Sequence, residues 1–566
     1  MKSQMWLLDP RPSLPSLVHM VEQGFELSEA SSTPVMLEMR IRACHVHGSF
    51  VTAENRPPPF TLRQALEAPR RETGRIVLPP ASFAHEHEKI ESRWPRAVQF
   101  IRECGLNERF DGDVPGLGII MQGGMYNGVI RALQSLGLAD HFGNTRIPLY
   151  VLNVTYPLLD DEVVEFCRHR KAVLMVEEGQ PDYIEQNVHA ILRKAGVHTP
   201  LAGKDVLPMA GEYTPQVLTA GIEAFVRAHL PALLAPTQPI TVHRPGRALA
   251  GVVPPRPPGF CTGCPERPIF SAMTLVQREL GEHHIAADIG CHLFSILPPF
   301  NLGSTTMGYG LGASSASAFS VPSGRRAISV MGDGGFWHNG LASGIGNAVY
   351  NKSDGVIVIV DNHYASATGG QDVPSSRARS EARSTNHPIE DAVRGVGVQW
   401  VRRVDHTYDV GRMRDVLREA LTTREPGPKV VIAQSECMLN RQRRERPLAR
   451  AAIGAGRRVV SERFGVDADV CTGDHACMRL SGCPSLTLRP SDDPLREDPV
   501  AYVDSSCVGC GHCGEVADAA VLCPSFYRAE LVHHAHAWER ARDRFRRAVI
   551  GWLQRRRSAR LARCAF

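Results

Sequence analysis

Apolar positions in this chain gather into short unbroken runs separated by segments of helical spacing, the pattern of strands buried on both faces of a parallel sheet. Over residues 111–232 the runs GLGIIMQGG, PLYVLNV and AVLMVEEG alternate with YNGVIRALQSLG and DEVVEFCRHR. Over 260–445 the runs are IAAD, RAISVMGD, GVIVIVDN and KVVIAQ. Two α/β domains are therefore expected. Pro231, Pro236, Pro239, Pro245, Pro254, Pro255, Pro257 and Pro258 mark 233–259 as a linker. Ahead of these domains, residues 1–50 hold a helical segment, SLVHMVEQGFELSEA, and a strand, PVMLEMRI. Such a pair cannot bury its own faces, so its partners are expected upstream or in another chain. Residues 51–110, Pro-rich at first, read as a second linker. A cysteine-rich segment spans 465–530. In the terminal helix, 531–566, Trp538, Phe545 and Trp552 recur every seven residues among arginines, an apolar stripe suited to docking on a partner.

Composition narrows the class. Apolar residues are 43 % and charged residues 22 %, ordinary for a soluble protein. No apolar run approaches the roughly 18 residues of a membrane span, and MKSQMWLLDPRPSL lacks the apolar core and cleavage site of a signal peptide. A cytoplasmic protein without a membrane partner is expected. The net charge of +5 comes from the tail, where residues 537–566 carry ten Arg against Glu539 and Asp543. The body is near neutral, and no nucleic-acid partner is indicated. Seven of the 15 cysteines fall between Cys471 and Cys523 and two more form the pair Cys261/Cys264, which favours metal or cluster ligation over a disulfide framework. Cys44, Cys104, Cys167 and Cys564 lie outside any motif and read as small apolar residues.

The densest chemistry is Gly332-Asp333-Gly334 followed, 26 residues later, by Asp361-Asn362. Each closes an apolar strand, so neighbouring parallel strands would deliver both to the carboxyl edge of one sheet, where α/β proteins bind ligands. A diphosphate needs a hard cation, and magnesium takes oxygen ligands in a near-octahedral set. Asp333 offers a carboxylate, Asn362 a side-chain carbonyl and Tyr364 a main-chain carbonyl. The glycines let backbone and helix N-terminus approach phosphates. The bland alternative is a pair of ordinary strand–turn junctions.

This spacing is the thiamine-diphosphate motif, and MGDGGFWHNGLASGIGNAVYNKSDGVIVIVDNHYASATGGQDVPSS, CTGCPERP, ADIGCHLFSILPPF and TTMGYGLG resemble the indolepyruvate ferredoxin oxidoreductases, within the thiamine-dependent 2-oxoacid:ferredoxin oxidoreductases. The resemblance covers roughly 110–530. It implies a thiamine-diphosphate-binding fold with parallel sheets, a transketolase-C-terminal-like middle domain over 111–232, and a two-cluster ferredoxin-like segment. It adds Thr368 and Gly369 to the cofactor loop.

The cysteine spacings resemble a bacterial two-cluster ferredoxin: Cys507, Cys510, Cys513 before Cys523-Pro524, and Cys471, Asp474, Cys477 before Cys483-Pro484. The likeness implies crossed ligation, with Cys483 completing the first trio and Cys523 the second. Asp474 stands where a cysteine is usual, which implies a labile, three-iron or potential-shifted cluster. Zinc knuckles are the alternative. Cys261, Cys264, Cys291 and Cys437 resemble the ligands of the cluster beside thiamine in pyruvate:ferredoxin oxidoreductases; the alternative is structural thiols.

The resemblance implies oxidative decarboxylation of an aryl 2-oxoacid to acyl-coenzyme A, with electrons passing through the clusters to ferredoxin. In the family a pyrimidine-binding domain precedes the point where this chain starts and provides the carboxylate that activates thiamine. Residues 1–50 resemble its last helix and strand, so the chain is expected to be either a truncated product or one part of a split enzyme with a second subunit. No catalytic residue is assigned. His292, Phe294, Phe336, His338 and His363 lie in motif loops, where packing is the expected role. The rival functions are a non-oxidative thiamine-dependent decarboxylase and a non-catalytic iron–sulfur electron carrier.

Overall fold

The computed structural model describes residues 4–55, 61–69, 76–234, 258–376, 386–491, 493 and 495–564, without the side chains of 321–323 and 564. Most of the expected 233–259 linker lies outside the described residues. The chain forms two units, Met1–Ala248 and Leu249–Phe566.

In the first unit, β1 (Trp6–Leu8), α1 (Leu14–Ser31) and β2 (Val35–Leu37) precede α2 (Trp94–Glu103). Then follow β3 (Glu108–Phe110), β4 (Leu117–Gln122), α3 (Tyr126–Ser135), β5 (Leu149–Leu152), β6 (Val154–Tyr156), α4 (Asp160–Cys167), β7 (Ala172–Val176), α5 (Tyr183–Lys194), β8 (Leu201–Ala202) and α6 (Pro215–His229). A five-stranded sheet has the order β3-β5-β4-β7-β8, parallel except for β3. Its central strands β4 and β7 are buried throughout, as their unbroken apolar runs require.

Two expectations for the N-terminal region need correcting. The helix–strand pair of residues 1–50 finds partners downstream in the same chain: β1 pairs with β2 in parallel and with β6 antiparallel. Trp6 packs on Trp94 and Tyr156 at ring-centroid distances of 5.6 and 6.1 Å, and Trp6 Nε1 donates to Ser31 Oγ at 2.8 Å. Nor is 51–110 simply a linker. Helices run over Leu62–Glu67, Ala81–Glu88 and α2, the first capped by reciprocal Thr61–Gln64 hydrogen bonds and the last burying Ala97 and Ile101. The nearby prolines hid the apolar spacing of α2.

The second unit begins with α7 (Arg267–Leu280), β9 (Ile285–Ala287), α8 (Gly312–Ser323), β10 (Ile328–Gly332) and β11 (Val356–Asp361). It continues through β12 (Trp400–Val404), α9 (Val410–Thr422), β13 (Lys429–Gln434) and α10 (Met438–Gly454). The sheet order is β12-β13-β11-β10-β9, all parallel. The helix expected after Gly334 is π-wound from Phe336 to Gly346, a form common at functional sites.

The cysteine-rich segment has two similar halves: β14 (Val459–Val466), α11 (Ala476–Ser481) and β15 (Leu486–Arg489), then β16 (Val500–Val503), α12 (His512–Val521) and β17 (Phe526–His533). The outer strands β14 and β17 pair antiparallel, as do β15 and β16. The halves match in backbone detail, with left-handed residues before each helix (His475, Gly511) and before each Cys-Pro (Gly482, Leu522). Ala476, Leu480 and Val516 share one apolar core with Ile269, Phe270 and Met273 of α7, so this segment is a continuation of the sheet domain's core. The final helix, α13 (Ala537–Cys564), is anchored by Arg458 to Glu539 at 2.7 Å and leaves Trp538, Phe545 and Trp552 exposed. Among the described residues no helix is long and apolar enough to cross a membrane.

Candidate active site

The parallel register Gly332↔Val360 brings Asp333 and the Asp361-Asn362 pair to the same carboxyl edge. Asp333 is only 1 % exposed; its Oδ1 accepts from Gly334 N at 2.8 Å and its Oδ2 has no partner. Burial, then the charge of Asp361, hold the Asp333 carboxyl well above the usual range. Asp361 Oδ1 is also buried and makes no hydrogen bond, lying 3.4 Å from His363 Nδ1. The other expected oxygens converge nearby: Ser366 Oγ lies 2.7 Å from Asn362 Oδ1 and 3.2 Å from the Tyr364 carbonyl. Two carboxylates with spare oxygens, beside two neutral carbonyls, are a donor set of the kind a hard cation takes. Thr368 donates to Gln371 Oε1 at 2.6 Å, and Gly369 has a φ of 117°, shaping the turn that follows. A cleft of about 490 Å³ beside this edge is lined by Asp361, His363, Gln434 and Arg441, and Asp333 is not among its lining residues.

Sequence reasoning missed Asp288 and Glu266. Asp288 follows β9, fully buried, and accepts from Ile289 N at 3.0 Å and from Gly310 N, holding the TTMGYGLG loop against the motif. Burial raises its carboxyl to about 6 despite those backbone donors. The signal was an aspartate ending the apolar run IAA. Glu266, 2 % exposed, has an unpartnered Oε2 that lies 3.8 Å from His292 Nδ1. Burial pushes Glu266 up to about 8 and His292 down to about 4, so a neutral pair sits there. Nothing in the pattern around Glu266 distinguishes it from a surface residue.

The cysteines form three neighbourhoods. Around Cys513, burial first and then Cys483, Cys510 and Cys507 raise the thiol well above its ordinary value. Around Cys477, burial first and then Cys523 and Cys471 push it up to about 11, with a smaller contribution from Asp474. Asp474 is exposed, unlike the thiols, and its Oδ1 accepts from Ala476 N at 3.2 Å, the first N–H of α11. The third neighbourhood adjoins the aspartates: Cys291 is raised by burial, then by Glu266, Cys437, Cys261 and Asp333. Cys264 is raised by burial, Glu266 and, more weakly, Cys291. Cys437 N donates to the Asn362 carbonyl at 3.2 Å, tying this set to the Asp-Asn turn. Among the described residues no three His, Cys, Asp or Glu side chains converge on a single ion position. A polynuclear cluster holds its ligands at separate corners, and clustered thiols that ionise on binding suit one.

Residues 288–433 match the family model of the thiamine pyrophosphate enzyme, C-terminal TPP binding domain. The indolepyruvate oxidoreductase subunit IorA of Methanothermobacter thermautotrophicus is 30 % identical over 531 residues, covering 91 % of this chain and 76 % of that one. The chain belongs to the indolepyruvate oxidoreductase subunit IorA family. The IorA proteins of Archaeoglobus fulgidus and Thermococcus kodakarensis are 30 % and 27 % identical, each covering 88 % of this chain and 74 % of its own. As an IorA-family chain it is an oxidoreductase subunit with a thiamine-diphosphate-binding domain. Solved structures align loosely, among them a 2-oxoglutarate:ferredoxin oxidoreductase from Magnetococcus marinus, 20 % identical over 33 % of this chain and 66 % of that one with a TM-score of 0.28.

Proposed function

We propose that this chain, together with a second subunit, carries out coenzyme-A-dependent oxidative decarboxylation of an aryl 2-oxoacid such as indolepyruvate, with electrons leaving through iron–sulfur clusters to ferredoxin. The observation that carries this reading is the tie between a cysteine set and the cofactor motif: Cys437 N donates to the Asn362 carbonyl at 3.2 Å, and Cys291 is acted on by burial, Glu266, Cys437 and Cys261 and, more weakly, by Asp333. A non-oxidative decarboxylase has no use for a thiolate set at that point. The names of the IorA relatives support the substrate class and the need for another subunit.

Asp333, Asn362 and the Tyr364 carbonyl would hold magnesium, with Gly332, Gly334, Thr368 and Gly369 at the diphosphate. When bound, thiamine diphosphate supplies the electron sink for decarboxylation. Asp288 fixes the loop that closes over the motif, and the apolar strands behind it exclude water. Cys507, Cys510, Cys513 and Cys483 would hold one four-iron cluster. Cys471, Cys477 and Cys523, with or without Asp474, would hold a second, of four or three irons. Cys261, Cys264, Cys291 and Cys437 would hold a third, nearest thiamine. The exposed stripe of α13 would meet the second subunit or an acidic ferredoxin. Unpaired clustered thiols fit a reducing, cytoplasmic setting.

The test is anaerobic turnover of the complete enzyme with an arylpyruvate, coenzyme A and a one-electron dye. Dye reduction that requires coenzyme A is expected. Release of an aryl aldehyde without dye reduction would establish the non-oxidative alternative, and iron without any turnover the electron carrier.

A further inference from the structure

Arg267 is fully buried at the first position of α7, three residues after Cys264. Its Nη1 donates to the Ser481 carbonyl at 3.2 Å, two residues before Cys483, while Nε and Nη2 make no well-formed hydrogen bond and the Cys483 sulfur lies within weak hydrogen-bonding reach of the guanidinium. Among the described residues no carboxylate forms an ion pair with it. One turn along the same helix, Ser271 Oγ donates to the Leu480 carbonyl at 2.6 Å and lies 3.1 Å from Nε2 of His512, the buried residue between Cys510 and Cys513. The first turns of α7 are thus stitched to both cysteine loops. Burial works against the guanidinium charge, and the groups that offset it are the sulfurs of Cys483, Cys510 and Cys264. An isolated buried cation is unfavourable, and only negative charge close by compensates it. Cysteine sulfurs of two different sets lie around this cation, and as cluster ligands they would supply that charge.

We propose that Arg267 is the buried counter-cation shared by the Cys261/Cys264/Cys291/Cys437 set and the Cys483/Cys507/Cys510/Cys513 set, and that it raises the reduction potential of the cluster on the latter. The inference rests on the iron–sulfur reading above. One-electron reduction adds one negative charge and breaks no bond; the electron comes from substrate oxidation and leaves to ferredoxin. A fixed cation beside the sulfurs favours the state with the extra charge, one of the protein's levers on such potentials. Arg267 is therefore a positioning and tuning residue.

The test is potentiometric titration of the complete enzyme, followed by electron paramagnetic resonance, for wild type, Arg267→Gln and Arg267→Lys, with iron and acid-labile sulfide measured first. In Arg267→Gln the four-thiolate cluster should become at least tenfold harder to reduce, a fall of about 59 mV for a one-electron couple. The cluster at Cys471, Cys477 and Cys523 should hold its potential, and Arg267→Lys should fall between wild type and Gln. Unchanged potentials at full iron content would overturn the proposal. If Arg267→Gln loses iron, Arg267→Lys decides: retention of its cluster supports charge compensation, and equal loss overturns it in favour of a purely structural role. Wild-type protein without iron would instead overturn the cluster reading itself.

Discussion

Asp333 and Asp361 lie at the ends of neighbouring parallel strands, each with one buried carboxylate oxygen that makes no hydrogen bond, and the charge of Asp361 adds to burial in disfavouring ionised Asp333. Two buried carboxylates this close are unfavourable until a cation bound nearby compensates them. Asp333→Ala should therefore weaken thiamine diphosphate binding in magnesium by more than the roughly 10–100-fold typical of losing an outer partner of a metal ligand. Iron content should not change. Calorimetric titration with near-native affinity would contradict the assignment.

Asp288 gives a pH signature. Its folded-state value of about 6 lies above the ordinary one, so its contribution to stability is complete below about 4 and is lost as pH rises through 6. Asp288→Asn keeps a carbonyl acceptor but cannot ionise. Relative to wild type, its stability should rise between pH 4 and 7 by up to about 3 kcal/mol. Melting curves that run parallel across that range would remove the claim, whatever their constant offset.

Asp474 accepts from the first N–H of α11 from an exposed position, so the Cys471, Cys477 and Cys523 site has three buried or half-buried thiols and one weak oxygen donor. Brief air exposure should convert only that site to a three-iron form, seen as a new paramagnetic signal. Asp474→Cys should suppress the conversion. A variant that oxidises as readily as wild type would leave Asp474 with only its hydrogen bond to the first N–H of α11.

What was legible from sequence follows physical lines. β10, β11 and β13 are buried on both faces, so their apolar runs announced them and carried Asp333 and Asn362 to the right edge. β12 was not foreseen because Arg402 and Arg403 interrupt it; the Arg402 guanidinium lies over the Trp400 ring at 4.6 Å and reaches Glu419. The crossed neighbourhoods of Cys483 and Cys523 were expected from likeness to two-cluster ferredoxins. Glu266 and Arg267 carry no signal in the sequence: adjacent charged residues at a helix start read as solvent-facing, yet Glu266 is buried beside His292 and Arg267 against the Ser481 carbonyl at the end of α11.

The account joins a thiamine site to a chain of clusters, and substrate-dependent reduction tests that join most directly. The complete enzyme, purified anaerobically from its own cells, would be frozen with an arylpyruvate, with and without thiamine diphosphate and magnesium, and its paramagnetic resonance recorded. The account predicts that reduced-cluster signals appear only when cofactor and 2-oxoacid are both present, and not in Asp333→Ala. Clusters that dithionite reduces but substrate and cofactor leave oxidised would contradict it.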